Sequence, residues 1–281
     1  MHRKLIQMLR YTDVRIWYAF VAVFVVPVCL VINPAQKIIY RYFRVHHKMS
    51  KLRAFLKTYL NFYCFAQVVI DKFAMYAGKK FEMEVDGYVS YEKLSLQEEG
   101  FVQLSAHIGN YEMAGYTLIS KAKRFNVLVF GGEKASIMEN RDMMFKNTHI
   151  HMISIKEDMS HLFEISDALA HHEIVSMPAD RFIGSKKMIK ISFLGKNTSF
   201  PLGPFSVATM RSLDVLAVNV MKTGLRKYRI YVTPLLYDKS APRKEQERLL
   251  ATAYVTELEK IVRMYPEQWY NYYEFWNDEL D

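Results

Sequence analysis

Cysteine is scarce in this chain: Cys29 and Cys64 are the only two in 281 residues, and they form no spaced pair. A disulfide framework and a thiolate zinc site are therefore both excluded. Acidic residues are missing from the front. Residues 1–57 carry eleven Lys or Arg and a single acid, Asp13. The formal net charge is +9, so residues 58–281 are close to neutral and the basic character belongs to the front end alone. Internal repeats and low-complexity linkers are also lacking, which points to one sizeable core with no second domain of comparable size.

The front end encloses "IWYAFVAVFVVPVCLVI", residues 16–32, a run without any charge. As a helix, its seventeen residues reach about 25 Å, slightly short of a hydrocarbon core of about 30 Å. A cleaved signal peptide is disfavoured, because "NPAQK" offers no small-x-small site and the following flank stays basic. A buried core helix remains open. A membrane anchor, spanning or shallow with Trp17 and Tyr18 at the interface, fits the run best. Nucleic acid could use the same cations, but the adjacent apolar run favours an anionic membrane surface. The expected division is an anchor over residues 1–35 and a body over 36–281. The longer basic stretch after the run places that body in the cytoplasm, against an inner membrane.

Beyond the anchor, "SKLRAFLKTYLNFYCFAQVVIDKFAMYA" reads as one long helix or a helix pair. "FEMEVDG" alternates like a strand and turns at Asp86-Gly87, and "YEKLSLQEEG" is a short helix closed by Gly100. "FVQLSAH", "FNVLVFGG", "HIHMISI", "EIVSMPAD", "KMIKISFLG", "DVLAVNVMKT" and "KYRIYVTPLLY" read as strands. Helical patterns fall between them at "YEMAGYTLISKAK", "MENRDMMFKNT", "MSHLFEISDALAHH" and "PLGPFSVATMRS", and a long helix from Lys244 follows the last strand. This alternation predicts an α/β fold: a central, mostly parallel sheet with helices on both faces, preceded by a membrane helix.

"LSAHIGNYEMAGYTL", residues 104–118, sets an imidazole and a carboxylate five places apart where a strand gives way to a helix. Within one ideal helix, five residues rotate about 500°, which leaves the two side chains roughly 140° apart. They can meet only if His107 stays on the strand or loop and Glu112 sits in the first helical turn. A carboxylate on one ring nitrogen would fix the tautomer and raise the basicity of the other, as deprotonating a hydroxyl requires. A satisfied loop histidine beside a helix-capping glutamate explains the same spacing.

"SAHIGNYE" resembles the His-x4-Asp/Glu block of the lysophospholipid acyltransferase superfamily. It is closer still to the His-x-Gly-Asn-Trp-Glu form of the bacterial lipid A late acyltransferases. "PADRFIG" and "ISFLGKNTSFPLGPFSVA" continue the resemblance in order and spacing, over roughly residues 15 to 235. It implies a glycerol-3-phosphate acyltransferase-like fold and an O-acyltransferase in which His107 is the general base, oriented by Glu112. The donor would be a fatty acyl thioester of acyl-carrier protein, or of CoA, and the acceptor a hydroxyl of a lipid A precursor or a similar bacterial lipid. An aminolipid or aryl-polyene type product, or a non-catalytic membrane-binding protein of the same fold, are the alternatives. No cofactor and no nucleic acid are implied. A serine hydrolase would need a G-x-S-x-G elbow, which is missing.

Other side chains are candidates for substrate binding. Arg141 could bind phosphate or steady an oxyanion, or be an exposed helix arginine. Asp180 and Arg181 end a strand on the same sheet edge, or form a structural ion pair. Asn110 could orient the corner or cap the helix. Gly203 lies in the glycine-proline block. His149, His151, His161, His171 and His172 are dispersed over a strand and a helix end, and no metal site is expected. In "FPLGPF", Leu202 and Pro204 stand where glycerophosphate-using relatives carry glutamate and threonine, which argues against lysophosphatidic acid as acceptor. The terminus "YPEQWYNYYEFWNDELD" has aromatics and acids in place of the lipid A branch's basic run; they could rim the cleft or pack as core.

Overall fold

The computed structural model describes residues 2–118, 120, 122–130, 150–156, 158–181 and 187–276. Strands β1 (Glu82–Asp86), β2 (Phe101–Ser105), β3 (Phe125–Phe130), β4 (Ile150–Ile155), β5 (Ile174–Pro178), β8 (Asp214–Gly224) and β9 (Lys227–Pro234) make one sheet. Its order is β1-β9-β8-β2-β5-β3-β4. β8 and β9 form an antiparallel hairpin and every other pairing is parallel, as the alternation of elements predicts. The run "KMIKISFLG" does not join this sheet. It is β6 (Met188–Phe193), which pairs with the unanticipated β7 (Lys196–Pro201) in a separate hairpin.

Alternation along the strands separates two cores. Val102 and Leu104 of β2 and Val215 and Ala217 of β8 pack on one face with Leu250, Tyr254 and Leu258. Those three belong to α10 (Arg243–Met264), whose buried positions recur at three and four residues. Phe101, Leu216 and Val218 face the other way, onto Tyr91 and Leu94 of α6 (Tyr88–Leu96). Each large apolar side chain so buried contributes about 1.5–3 kcal/mol. α6 ends at Leu96, so Gly100 does not close it; an added Cβ there would lie 2.4 Å from the Glu173 carbonyl oxygen. Gly100 lets the entry to β2 run against the entry to β5.

Five helices precede the sheet: α1 (His2–Tyr11), α2 (Val14–Phe20), α3 (Val26–Ile32), α4 (Ala35–Val45) and the single long α5 (Lys51–Tyr76). A π turn, Val21–Val25, joins α2 to α3 just ahead of Pro27. Proline lacks the N–H that would continue the α ladder, and the wider turn absorbs that break. Together Val14–Ile32 is a 19-residue helix of mean hydropathy 2.3, the one helix among the described residues long and apolar enough to cross a membrane. Phe20, Val23, Phe24, Val28, Val31 and Ile32 are exposed along it. The helix is no free tail, however. Leu9, Val14 and Tyr18 are buried against Ile70, Phe73, Ala74 and Ala77 at the end of α5.

Candidate active site

β2 and β5 lie side by side in parallel, with Ser105 opposite Pro178. Two residues further along each chain stand His107 and Asp180. The Asp180 carboxylate grips its neighbour twice: Oδ1 lies 2.8 Å from His107 Nδ1, and Oδ2 accepts the His107 backbone N–H at 2.9 Å. Asp180 is 2% exposed. Burial acts to raise its pKa, but the His107 charge, both His107 hydrogen bonds and Arg181 outweigh burial and hold it below the usual carboxylate range. An ionised carboxylate only accepts, so Nδ1 carries a proton, and in the neutral form of the ring the lone pair is on Nε2.

Nδ1 of the imidazole is bonded to Asp180, while Glu112 is bonded to Lys72 of α5. The chain leaves His107 through Gly109, whose φ is +56° and where an added Cβ would fall 1.9 Å from the Val220 carbonyl oxygen. Residues Tyr111–Met113 then form a tight 3-10 turn, and α7 covers only Ala114–Thr117. That path carries Glu112 toward α5, where Lys72 Nζ bonds its Oε1 at 2.6 Å. The longer helix expected over "YEMAGYTLISKAK" stops because Leu118 leaves the helical region and its carbonyl takes the Tyr91 hydroxyl. Asn110 makes no capping bond; its amide reaches the Tyr228 hydroxyl at 3.5 Å.

The C-terminal segment clamps the corner from above. Gln268 O accepts Gly109 N–H at 2.8 Å, and Tyr270 N–H donates to His107 O at 3.0 Å. Tyr273 OH donates to Asp180 O at 3.0 Å, and Arg181 Nη2 donates to Tyr270 O. Trp269, Tyr270 and Phe275 are buried, so packing explains much of the terminal aromatic run. Tyr270 and Tyr272 line the cavity beside His107.

That cavity has a volume of about 590 Å³. His107, Asn110, Glu112 and Arg181 stand at its polar end, and Lys72 joins them, a residue the sequence pattern did not single out. From there it runs over the β2, β5, β3 and β4 strands to Phe125 and Ile150, the first residues of their strands. Arg181 Nε is buried and has no partner among the described residues. Gly203, exposed at the start of α9 (Gly203–Thr209), is not on the cavity wall. Arg141, His149 and residues 182–184 of "PADRFIG" lie outside the described residues. Among the described residues no cluster of His, Cys, Asp or Glu has metal-site geometry. Burial pushes the Cys64 thiol up to about 12, which makes it a poor nucleophile.

A histidine base held by a buried carboxylate, opening on an apolar cavity, is equipped to deprotonate a hydroxyl beside a lipid chain. Residues 62–276 match the family model described as bacterial lipid A biosynthesis acyltransferase. The chain belongs to that family. This acyltransferase is also similar to the 1-acyl-sn-glycerophosphate (LPA) acyltransferase PlsC from Thermotoga maritima, with 9% identity and a TM-score of 0.42 over 96% of this chain and 100% of that one. No curated protein matches it at a significant level.

Proposed function

We propose that this acyltransferase moves a fatty acyl chain from a thioester, that of acyl-carrier protein, to a hydroxyl of a lipid A precursor or a similar bacterial lipid. His107 is the general base and Asp180 holds it. The observation that carries this is the Asp180 carboxylate, bonded to both the Nδ1 and the backbone N–H of His107, a residue that lines the apolar cavity. The acceptor O–H gives its proton to Nε2 while the oxygen attacks the thioester carbon, forming a C–O bond and an oxyanion. Collapse of the oxyanion breaks the C–S bond, and the departing thiolate takes the proton back from the imidazolium. Ester and thiol are the products, and no acyl-enzyme forms. Arg181, with its unpartnered Nε, steadies the oxyanion or a phosphate. Glu112, paired with Lys72, anchors the corner to α5. The roles of Arg141 and Gly203 in substrate binding rest on the family resemblance.

The exposed apolar face of Val14–Ile32 supports anchoring in the inner membrane, with the body over 36–281 on the cytoplasmic side against anionic headgroups. Leu202 is not on the cavity wall, so the preference for an acceptor hydroxyl presented on an acyl chain over a small phosphorylated one rests on the resemblance alone, in which glycerophosphate-using relatives carry glutamate at that place. The test is transfer by the purified protein from acyl-carrier protein to a 3-hydroxyacyl-bearing lipid, in competition with lysophosphatidic acid. The 3-hydroxyacyl lipid is expected to be acylated, with a loss of about 10²- to 10⁴-fold in His107→Ala. Efficient formation of phosphatidic acid would move the protein to the glycerophospholipid branch.

A further inference from the structure

The sheet face under the cavity is apolar except for Ser105, next to the His107 corner, and one deeper row. Gln103 of β2 stands opposite Ser176 of β5, and Ser176 stands opposite Val127 of β3, which in turn faces Met152 of β4. All four line the cavity. Gln103 is 2% exposed and Ser176 6%. Gln103 Nε2 reaches Ser176 Oγ at 3.2 Å, while Gln103 Oε1 is buried with no partner among the described residues. The serine hydroxyl can donate or accept, so turning the amide over still leaves one of its polar atoms unpaired.

Neither the fold nor the proton transfer needs this pair. On this face Gln103 is flanked by Phe101 and Ser105 along β2 and stands opposite Leu216 of β8, and an apolar pair of matching shape in place of Gln103 and Ser176 would be at least as stable there. A plain hydrocarbon chain crossing the row would strand the amide oxygen. A chain that brings its own hydrogen-bonding group would satisfy it. A hydroxyl fits best, because it can donate to Oε1 or accept from Nε2 whichever way the amide is turned.

The depth of the row says where on the chain that hydroxyl lies. Gln103 is four strand residues below His107, about 13 Å. An extended chain advances about 1.2 Å per bond, since three backbone bonds span roughly 3.3–3.6 Å. Allowing for the reach of the glutamine side chain, the row sits about eight to eleven bonds below a carbonyl held at His107. A 3-hydroxyl, two bonds away, is too shallow. The cavity continues to Phe125, level with Phe101 and six residues below His107, which leaves room for about sixteen bonds in all.

We infer that Gln103 and Ser176 make this cavity selective for an acyl chain bearing a hydroxyl near its middle. The inference rests on the proposed acyl transfer in that the cavity holds the donor chain. The wild-type protein and Gln103→Leu are compared on three acyl-carrier-protein thioesters: hexadecanoyl, 3-hydroxyhexadecanoyl and 10-hydroxyhexadecanoyl. Binding of the three free acids is measured alongside by displacement of a fluorescent fatty acid. The wild type is expected to favour the 10-hydroxy chain roughly tenfold to hundredfold in kcat/KM and in affinity, with no gain from the 3-hydroxyl. Gln103→Leu should erase that preference and bind the plain chain at least as well as the wild type does. Equal use of plain and 10-hydroxy chains by the wild type, or a preference that survives Gln103→Leu, would overturn the inference and leave acyl transfer standing. A Gln103-dependent binding preference without transfer from any thioester would support the inference and count against the transfer.

Discussion

His107 and Asp180 are 73 residues apart in the chain and 2.8 Å apart at Nδ1 and Oδ1. The separation equals the register offset of β2 and β5, which pairs Ser105 with Pro178. The two parallel strands deliver imidazole and carboxylate to one edge of the sheet, where open α/β sheets place their chemistry. The carboxylate bonded to the ring thus comes from the neighbouring strand, while the motif's own glutamate bonds Lys72 of α5.

Asp180→Asn tests that assignment. The amide can still bond the ring but cannot stabilise an imidazolium, so the rate of transfer should fall about 10²-fold or more. Glu112→Gln should cost less than about tenfold. Initial rates of both variants with one acyl thioester and one acceptor compare them directly, and a larger loss in Glu112→Gln would return the orienting role to the motif.

Lys72 and Glu112 are each 16% exposed in their side chains, and their pair ties α5 to the corner that carries His107. Lys72→Met should lower stability by about 1–2 kcal/mol by leaving Glu112 short of a partner. Adding Glu112→Leu should recover part of that loss. Thermal melts of the single and double variants in detergent supply the cycle.

A second buried charge pair fastens the apolar front helix to the body. Asp71 of α5, fully buried, accepts from Lys222 of β8, from Tyr18 of α2 and from Tyr228 of β9. Burial works against both charges, pushing Asp71 up and Lys222 down. Asp71→Asn, which leaves Lys222 uncompensated, should therefore destabilise by about 3–5 kcal/mol. Deleting residues 1–35 removes Leu9, Val14 and Tyr18 from the same contact, so the truncated body should melt well below the full chain. Equal melting temperatures would show that the anchor is structurally separate.

His47 sets a pH dependence. Burial first, then Arg263, depresses its pKa from 6.5 to about 4 in the folded protein. The group stays neutral when folded but protonates when unfolded. Its stabilising contribution is complete above about pH 6.5 and is lost as pH falls toward 4. His47→Phe should flatten the change in melting temperature across that window. Asp180, whose pKa is also depressed but from the carboxylate range, acts lower still, losing its contribution as pH falls through its own folded value.

Local pattern alone determined the α/β class, the strand that ends beside His107, the apolar helix at the front and the placement of Asp180 at the same edge. These are periodicity and end signals, and they are written in consecutive residues. Three things were decided only by the tertiary structure. The partner of His107 depends on which strand lies next to β2, and strand order is set by packing across the whole sheet. The partner of Glu112 depends on α5 crossing the corner, forty residues earlier in the chain. The polar row of Gln103 and Ser176 exists only once two apolar-looking strands pair, because its meaning lies in the cavity above it and in the one amide atom left without a bond.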